Sequence, residues 1–223
     1  MGNLLVTAAL CLLGYLLGGI PTAYLVAKRK HIDLREKGSG NLGATNTSRT
    51  LGFRYGVTVG VLDLLKGVVP SLFALDFFSL PAVSLLCIGM ATILGHVFSP
   101  YLLSQRGGKG VATGAGVIAV LFPSAIPVGL VVFFSVAIGT RYVSLASITT
   151  YVVLIPYYLI RSHIQGQPIE YARLVFLCLL SLLILFTHRT NVNRLIHHSE
   201  PKFSYSADKE HKCPLREKTF MVL

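Results

Sequence analysis

Of 223 residues, 53 % are hydrophobic and only 13 % are charged, with a mean hydropathy of +0.66. Several uncharged runs reach about 18 residues, the length a spanning helix needs, so soluble globular classes are excluded and an all-α, polytopic integral membrane helix bundle is expected. The net charge of +11 falls mostly in short loops and the C-terminal tail, the pattern of a positive-inside bias and not of a nucleic-acid footprint.

No basic region precedes the first apolar run and no small-residue cleavage site follows it, so residues 3–27 are expected to be a retained membrane helix. It ends at Lys28-Arg29-Lys30, which places the next loop in the cytoplasm and the N-terminus outside. Gly14, Gly18 and Gly19 fall on spacings that let helix backbones approach closely in lipid. The loop that follows carries His31, Arg35 and Lys37, then enters Ser39-Gly40-Asn41-Leu42-Gly43-Ala44-Thr45-Asn46, with Arg49 shortly after. Small polar residues and glycines at that place allow close backbone approach and free N–H groups for an anion. Irregular backbone near the apolar zone is tolerated where it lines a cavity. The stretch therefore reads as one wall of a phosphate site.

A second helix is expected over 53–75. Asp63 and Lys66 lie three apart near its middle, on one face where they pair. Ionisable groups at that depth either support a site or hold two helices in register. After an outside turn at 76–80, a third helix runs from 81 to about 98 and stops at Gly95-His96-Val97-Phe98-Ser99-Pro100; His96 alone reads as a satisfied interface histidine. Next comes Arg106-Gly107-Gly108-Lys109-Gly110-Val111-Ala112-Thr113, three glycines around a lysine opening into an apolar helix, a place for an anion at a helix N-terminus. It is no Walker loop, because glycine follows the lysine and no strand precedes it.

As a single helix, residues 110–140 would be about 46 Å long, well beyond a ~30 Å hydrocarbon core. Pro123 and Pro127 interrupt the run, so two short helices meeting at 122–127 are expected. A sixth helix over 143–160 and a seventh over 171–187 complete seven spans, with the C-terminus cytoplasmic. Outside loops then hold only Arg161 and Arg173 of the 20 basic residues, and Lys66 lies inside a helix; six spans would put the basic tail outside, against the charge rule.

The last polar segment runs from His188 through Asn191 and Arg194 to Glu200. His188 and Asn191 share a face if the seventh helix continues. His197-His198 with Glu200 suggests no metal site, since adjacent histidines in a basic tail seldom make one. The four cysteines, Cys11, Cys87, Cys178 and Cys213, form no CxxC pair or disulfide frame and read as small buried hydrophobes.

Three segments, SGNLGATN at 39–46, GGKGVAT at 107–113 and His188…Asn191…Arg194…Glu200, resemble in order and spacing the bacterial membrane acyl-phosphate:glycerol-3-phosphate acyltransferases. Asp63-Leu64-Leu65-Lys66-Gly67, Gly95-His96-Val97-Phe98 and Arg141-Tyr142-Val143-Ser144-Leu145-Ala146-Ser147 are similar too, and the likeness covers about 5–202. His198 departs, since many members have glycine there. The resemblance implies one transmembrane acyltransferase domain over 1–200 and a polar cytoplasmic tail over 201–223. It implies transfer of an acyl chain from acyl phosphate to the 1-hydroxyl of glycerol 3-phosphate, with the active site at the cytoplasmic face of a bacterial inner membrane. Expected partners are the two substrates and membrane lipid, with no metal, cofactor or nucleic acid.

The residue chemistry agrees with that reading. Two phosphorylated substrates need cations and amides, which Arg49, Lys109, Arg194 and the glycine segments supply. A mixed anhydride has a good leaving group, so positioning and electrostatics carry most of the work. Ser39, Asn191 and His188 are the expected catalytic group: His188 as base or hydroxyl orienter, unless the substrate's own phosphate takes the proton, Asn191 fixing the acceptor, and Ser39 with Arg49 orienting glycerol phosphate. Gly40, Asn41, Gly43, Thr45 and Asn46 join the acceptor wall. Gly107, Gly108, Lys109 and Gly110 hold the phosphate of donor or acceptor. Asp63, Lys66 and Glu200 are expected as structural support, Glu200 through a motif arginine. A phosphate-ester transporter would more often show repeated halves and a midplane site.

Overall fold

The computed structural model describes residues 2–102 and 107–203. Every regular element in them is helical: α1 (Gly2–Gly19), α2 (Thr22–Lys28), α3 (Ala44–Leu51), α4 (Phe53–Phe77), α5 (Ala82–Val97), a 3₁₀ turn (Pro100–Leu102), α6 (Val111–Leu121), α7 (Ala125–Thr140), α8 (Val143–Ile164), α9 (Tyr171–Thr187) and α10 (Arg189–Ile196).

The first expected helix is broken in two. Pro21 has no N–H to continue α1, and its ψ of 77° turns the chain before α2 begins. The carbonyl of Ile20 at the break accepts from Lys66 Nζ. Pro123 has the expected effect: α6 stops at Leu121 and α7 starts at Ala125. Gly52, at φ 100°, joins α3 to α4 through a backbone conformation closed to ordinary side chains.

Four runs among the described residues are long and apolar enough to cross a membrane: Gly2–Lys28, Phe53–Phe77, Ala82–Leu102 and Val143–Ile164. Joining α9 to α10 makes a fifth, bent by 61°. The helices α6 and α7, at 11 and 16 residues, are about 16 and 24 Å long, each short of a ~30 Å apolar core. Many large apolar side chains face outward on the helices, among them Leu12, Val61, Val131 and Leu182, the kind of exposed apolar belt that lipid covers.

Small residues set the helix contacts. A Cβ on Gly18 of α1 would sit 2.0 Å from the Thr92 carbonyl oxygen of α5. On Gly67 of α4 it would sit 2.1 Å from the Thr113 carbonyl, and on Gly116 of α6 2.1 Å from the Leu64 carbonyl. Backbones thus touch directly, as small residues permit between helices in lipid, and α6 is locked lengthwise onto α4. The main apolar core joins α5, α6, α8 and α9 through Ile93, Val117, Ile118, Leu154, Leu180 and Ile184.

Candidate active site

A cavity of about 370 Å³ opens among α3, α6, α7, α8 and the α9–α10 corner. Ser39, Arg49, Lys109, His188, Asn191 and Glu200 line its polar end. Its other limb is apolar, walled by Ala115, Ile118, Gly129, Phe133, Phe134 and Leu154. The three segments that lie far apart in the sequence therefore meet at one place.

In the first segment, Asn46 is 1 % exposed and braces the loop. Its Oδ1 accepts from the Ser39 N–H at 2.8 Å, and its Nδ2 donates to the carbonyls of Leu34 and Lys37. The Gly40 N–H donates to the Lys37 carbonyl. The expectation of free amides thus fails at Ser39 and Gly40, whose donors the loop's own turn consumes, and Gly40 does not line the cavity. Asn41, Gly43, Ala44, Thr45 and Asn46 do line it, around the start of α3, where first-turn N–H groups have no partner within the helix.

The second segment divides similarly. Gly107 and Gly108 donate to the carbonyls of Val97 and His96, at 3.0 and 3.2 Å, and neither borders this cavity. A Cβ on either would lie 2.1 Å from an atom of His96, so glycine there permits close protein packing. Gly110, at φ 86°, caps α6 and lines the cavity with Val111 and Ala112. The amine of Lys109 donates to Asn191 Oδ1 at 2.5 Å, and its carbonyl accepts from Thr187 Oγ1 at 3.0 Å. Burial pushes the Lys109 ammonium down to about 8, against the pull of Glu200 and with help from Arg194 and Arg49.

The third segment does not continue α9. The chain bends by 61° at His188 before α10; His188 and Asn191 still reach the same cavity, by the corner and not by a shared helical face. The ring of His188 is 3 % exposed, with Nδ1 2.9 Å from the Ile184 carbonyl. A carbonyl only accepts, so Nδ1 carries the hydrogen and Nε2 keeps a lone pair. Burial first, then the charge of Lys109, pushes the His188 pKa down to about 4, so the ring is neutral at pH 7.

Glu200 ties the corner together. It accepts from Ser144 Oγ, Asn191 Nδ2 and Arg194 Nε, each at 2.7 Å. Burial works against its carboxylate, but these donors outweigh it and leave its pKa below the ordinary value. Arg194 is thereby engaged with Glu200 and does not itself line the cavity. Arg49 does line it and donates to the Pro201 carbonyl at 3.0 Å; burial lowers its pKa, Glu200 opposing and Arg194 assisting. The Phe203 N–H donates to the Arg141 carbonyl, which ties residue 203 to the corner between α7 and α8. Residues 204–223, with Cys213, lie outside the described residues, as does Arg106.

Asp63 and Lys66 pair at 2.7 Å, and Asp63 and His96 also border the cavity. Sequence reasoning took His96 as an interface histidine and gave Ser144 no role. The only signal was that both sit in short polar pieces beside the main motifs.

Comparison with known proteins is consistent throughout. The family model described as glycerol-3-phosphate acyltransferase matches residues 8–198. A glycerol-3-phosphate acyltransferase of Bacillus cereus is 43 % identical over 205 residues, covering 90 % of this chain and 96 % of that protein. One of Aquifex aeolicus is 40 % identical, covering 87 % and 97 %. A crystal structure of PlsY (YgiH), an integral membrane glycerol 3-phosphate acyltransferase in its glycerol 3-phosphate form, superposes with a TM-score of 0.81 at 38 % identity, over 89 % of this chain and 96 % of that one. Its lysophosphatidic acid form gives a TM-score of 0.78.

Proposed function

The chain belongs to the glycerol-3-phosphate acyltransferase family, an acyltransferase of lipid biosynthesis, and from that premise we propose that it moves a fatty acyl group from acyl phosphate to the sn-1 hydroxyl of glycerol 3-phosphate. The products are lysophosphatidic acid and inorganic phosphate. The observation that carries this reading is the single cavity with a cationic end at Arg49 and Lys109 and an apolar limb along α6, α7 and α8. Such a shape suits an anionic head attached to a hydrocarbon chain, beside a second small anion.

In this reaction the glycerol oxygen attacks the acyl carbonyl carbon, and the bond from that carbon to the phosphate oxygen breaks. The hydroxyl proton passes to His188 Nε2 or to a substrate phosphate. Neutral His188, with its tautomer set by Ile184, orients the hydroxyl by accepting from it. Lys109, Arg49 and the N–H groups opening α3 and α6 offset the charge on the departing phosphate and the carbonyl oxygen. Phosphate is already a good leaving group, so the step requires no metal or cofactor.

The same reading has seven membrane helices, Gly2–Lys28, α4, α5, α6, α7, α8 and α9, of which α6 and α7 are shorter than the apolar core. It has the N-terminus outside, the C-terminal tail from residue 201 in the cytoplasm, and the polar end of the cavity at the cytoplasmic face of a bacterial inner membrane, as the distribution of basic residues favours. Purified protein in detergent, given palmitoyl phosphate and labelled glycerol 3-phosphate, is expected to make labelled lysophosphatidic acid. Product from palmitoyl-CoA but none from palmitoyl phosphate would overturn the donor. No product from either, with uptake of glycerol 3-phosphate into proteoliposomes, would make the protein a transporter.

A further inference from the structure

At the edge of the cavity, beside its polar end, lies a buried cluster to which the acyl transfer above assigns no step. Asp63 of α4 is 2 % exposed. Its Oδ1 accepts from Thr22 Oγ1 at 2.5 Å and Lys66 Nζ at 2.7 Å, and lies 3.7 Å from His96 Nδ1. The far edge of the His96 ring meets Gly108: a Cβ there would stand 2.1 Å from Nε2, 2.8 Å from Cε1 and 3.1 Å from the Leu42 carbonyl oxygen. The ring is therefore wedged between α4 and the loop before Lys109, with the first segment's Leu42 at its side.

The same aspartate holds the other end of that loop. Its backbone carbonyl accepts from Thr113 Oγ1 at 2.9 Å, in the first turn of α6. Lys109 and Gly110 thus span two anchor points, residues 108 and 113, both referred to Asp63. Burying charged and polar groups costs more than packing apolar ones of like size, so such a cluster contributes geometric definition more than stability, and a satisfied network is rigid.

We propose that Asp63 and His96 form a positioning unit: His96, oriented by Asp63, sets the height of the Gly107–Gly108 loop and so places Lys109 and the opening turn of α6 at the phosphate end of the cavity. This rests on the acyltransferase reading above. The requirement for glycine at 108 then comes from the histidine beneath it, not from the ligand.

A double-mutant cycle on the full chain tests it, with kcat, KM for glycerol 3-phosphate and unfolding temperature measured for His96→Ala, Gly108→Ala and the pair. Each single change is expected to raise KM about tenfold, with kcat much less affected. The pair should be no worse than the worse single variant, because the alanine methyl enters the space the ring has left, giving coupling of about tenfold. His96→Gln, whose amide still reaches toward Asp63, should restore part of the affinity. Additive losses, or a lowered unfolding temperature with KM unchanged, overturn the proposal. Should His96→Ala not fold, Asp63→Asn carries the test at nearly constant volume: KM is expected to rise, and an unchanged KM overturns the idea. Failure of the wild-type protein to turn over the two substrates would count against the acyltransferase reading instead.

Discussion

Replacing Glu200 with alanine removes one acceptor from three donors at once. Ser144 and Asn191 are 6 % and 4 % exposed, and leaving each unsatisfied costs about 1–3 kcal/mol. The Arg194 side chain is 32 % exposed, so water recovers most of its charge and its share is about 1 kcal/mol or less. The total is about 2–7 kcal/mol, which brackets the roughly 3–5 kcal/mol for breaking a buried pair by removing one partner. Glu200→Gln keeps Oε1 as acceptor for Ser144 and Asn191, but its NH2 takes the place of Oε2 and cannot accept from Arg194 Nε, a loss of about 1 kcal/mol at this partly exposed side chain. Asn191 is also what the Lys109 amine donates to, so loosening it frees the phosphate-end lysine. Thermal unfolding in detergent and kcat/KM on palmitoyl phosphate should therefore rank wild type, Gln, then Ala. The alanine variant is expected to lose about 100-fold in kcat/KM, equivalent to about 2.7 kcal/mol. Equal damage from Gln and Ala would show that charge alone matters and refute the shared-acceptor account; so would an alanine variant with unaltered unfolding temperature.

Arg49→Ala removes a charged donor worth about 1.5–3 kcal/mol and should raise KM for glycerol 3-phosphate by one to two orders of magnitude; isothermal binding that finds normal affinity would remove Arg49 from the site. His188→Gln should lower kcat by at least about 100-fold if Nε2 takes the proton, and near-normal turnover at saturating substrate would assign the proton to a substrate phosphate. Lys109 holds an anion only as ammonium, and its pKa in the free protein lies at about 8; affinity for glycerol 3-phosphate should accordingly be full below pH 7 and fall as pH rises through 8, whereas Lys109→Arg should abolish that decline. Gly129 lines the apolar limb, where an added Cβ would meet only Thr150 Cγ2 at 3.5 Å. Gly129→Leu is expected to fold normally and shift preference from palmitoyl toward decanoyl phosphate, read as the ratio of kcat/KM values; an unchanged ratio would place the acyl chain elsewhere.

Most of the helices were legible from local causes. Pro123 divided 110–140, and long apolar runs marked α4, α5, α8 and α9, because a proline or an apolar run acts within a turn or two of where it stands. The break at Pro21 was missed for the opposite reason: apolarity continues through it to Ala27, and what stabilises the break is Lys66, 46 residues away. The corner at His188 had no signature either, since nothing within a turn of it forbids helix.

Composition and apolar runs by themselves marked a membrane-embedded helical chain, while the three polar motifs and the family they resemble pointed to Ser39, Arg49, Lys109, His188 and Asn191, which line one cavity. Only the tertiary structure decided how those segments are used. It turned Arg194 toward Glu200, took Gly107 and Gly108 for packing against His96, and gave Asn46 to bracing its own loop. A glycine or an asparagine permits several partners. Which one it meets depends on backbones brought together from remote parts of the chain, and that is a property of packing with no local trace.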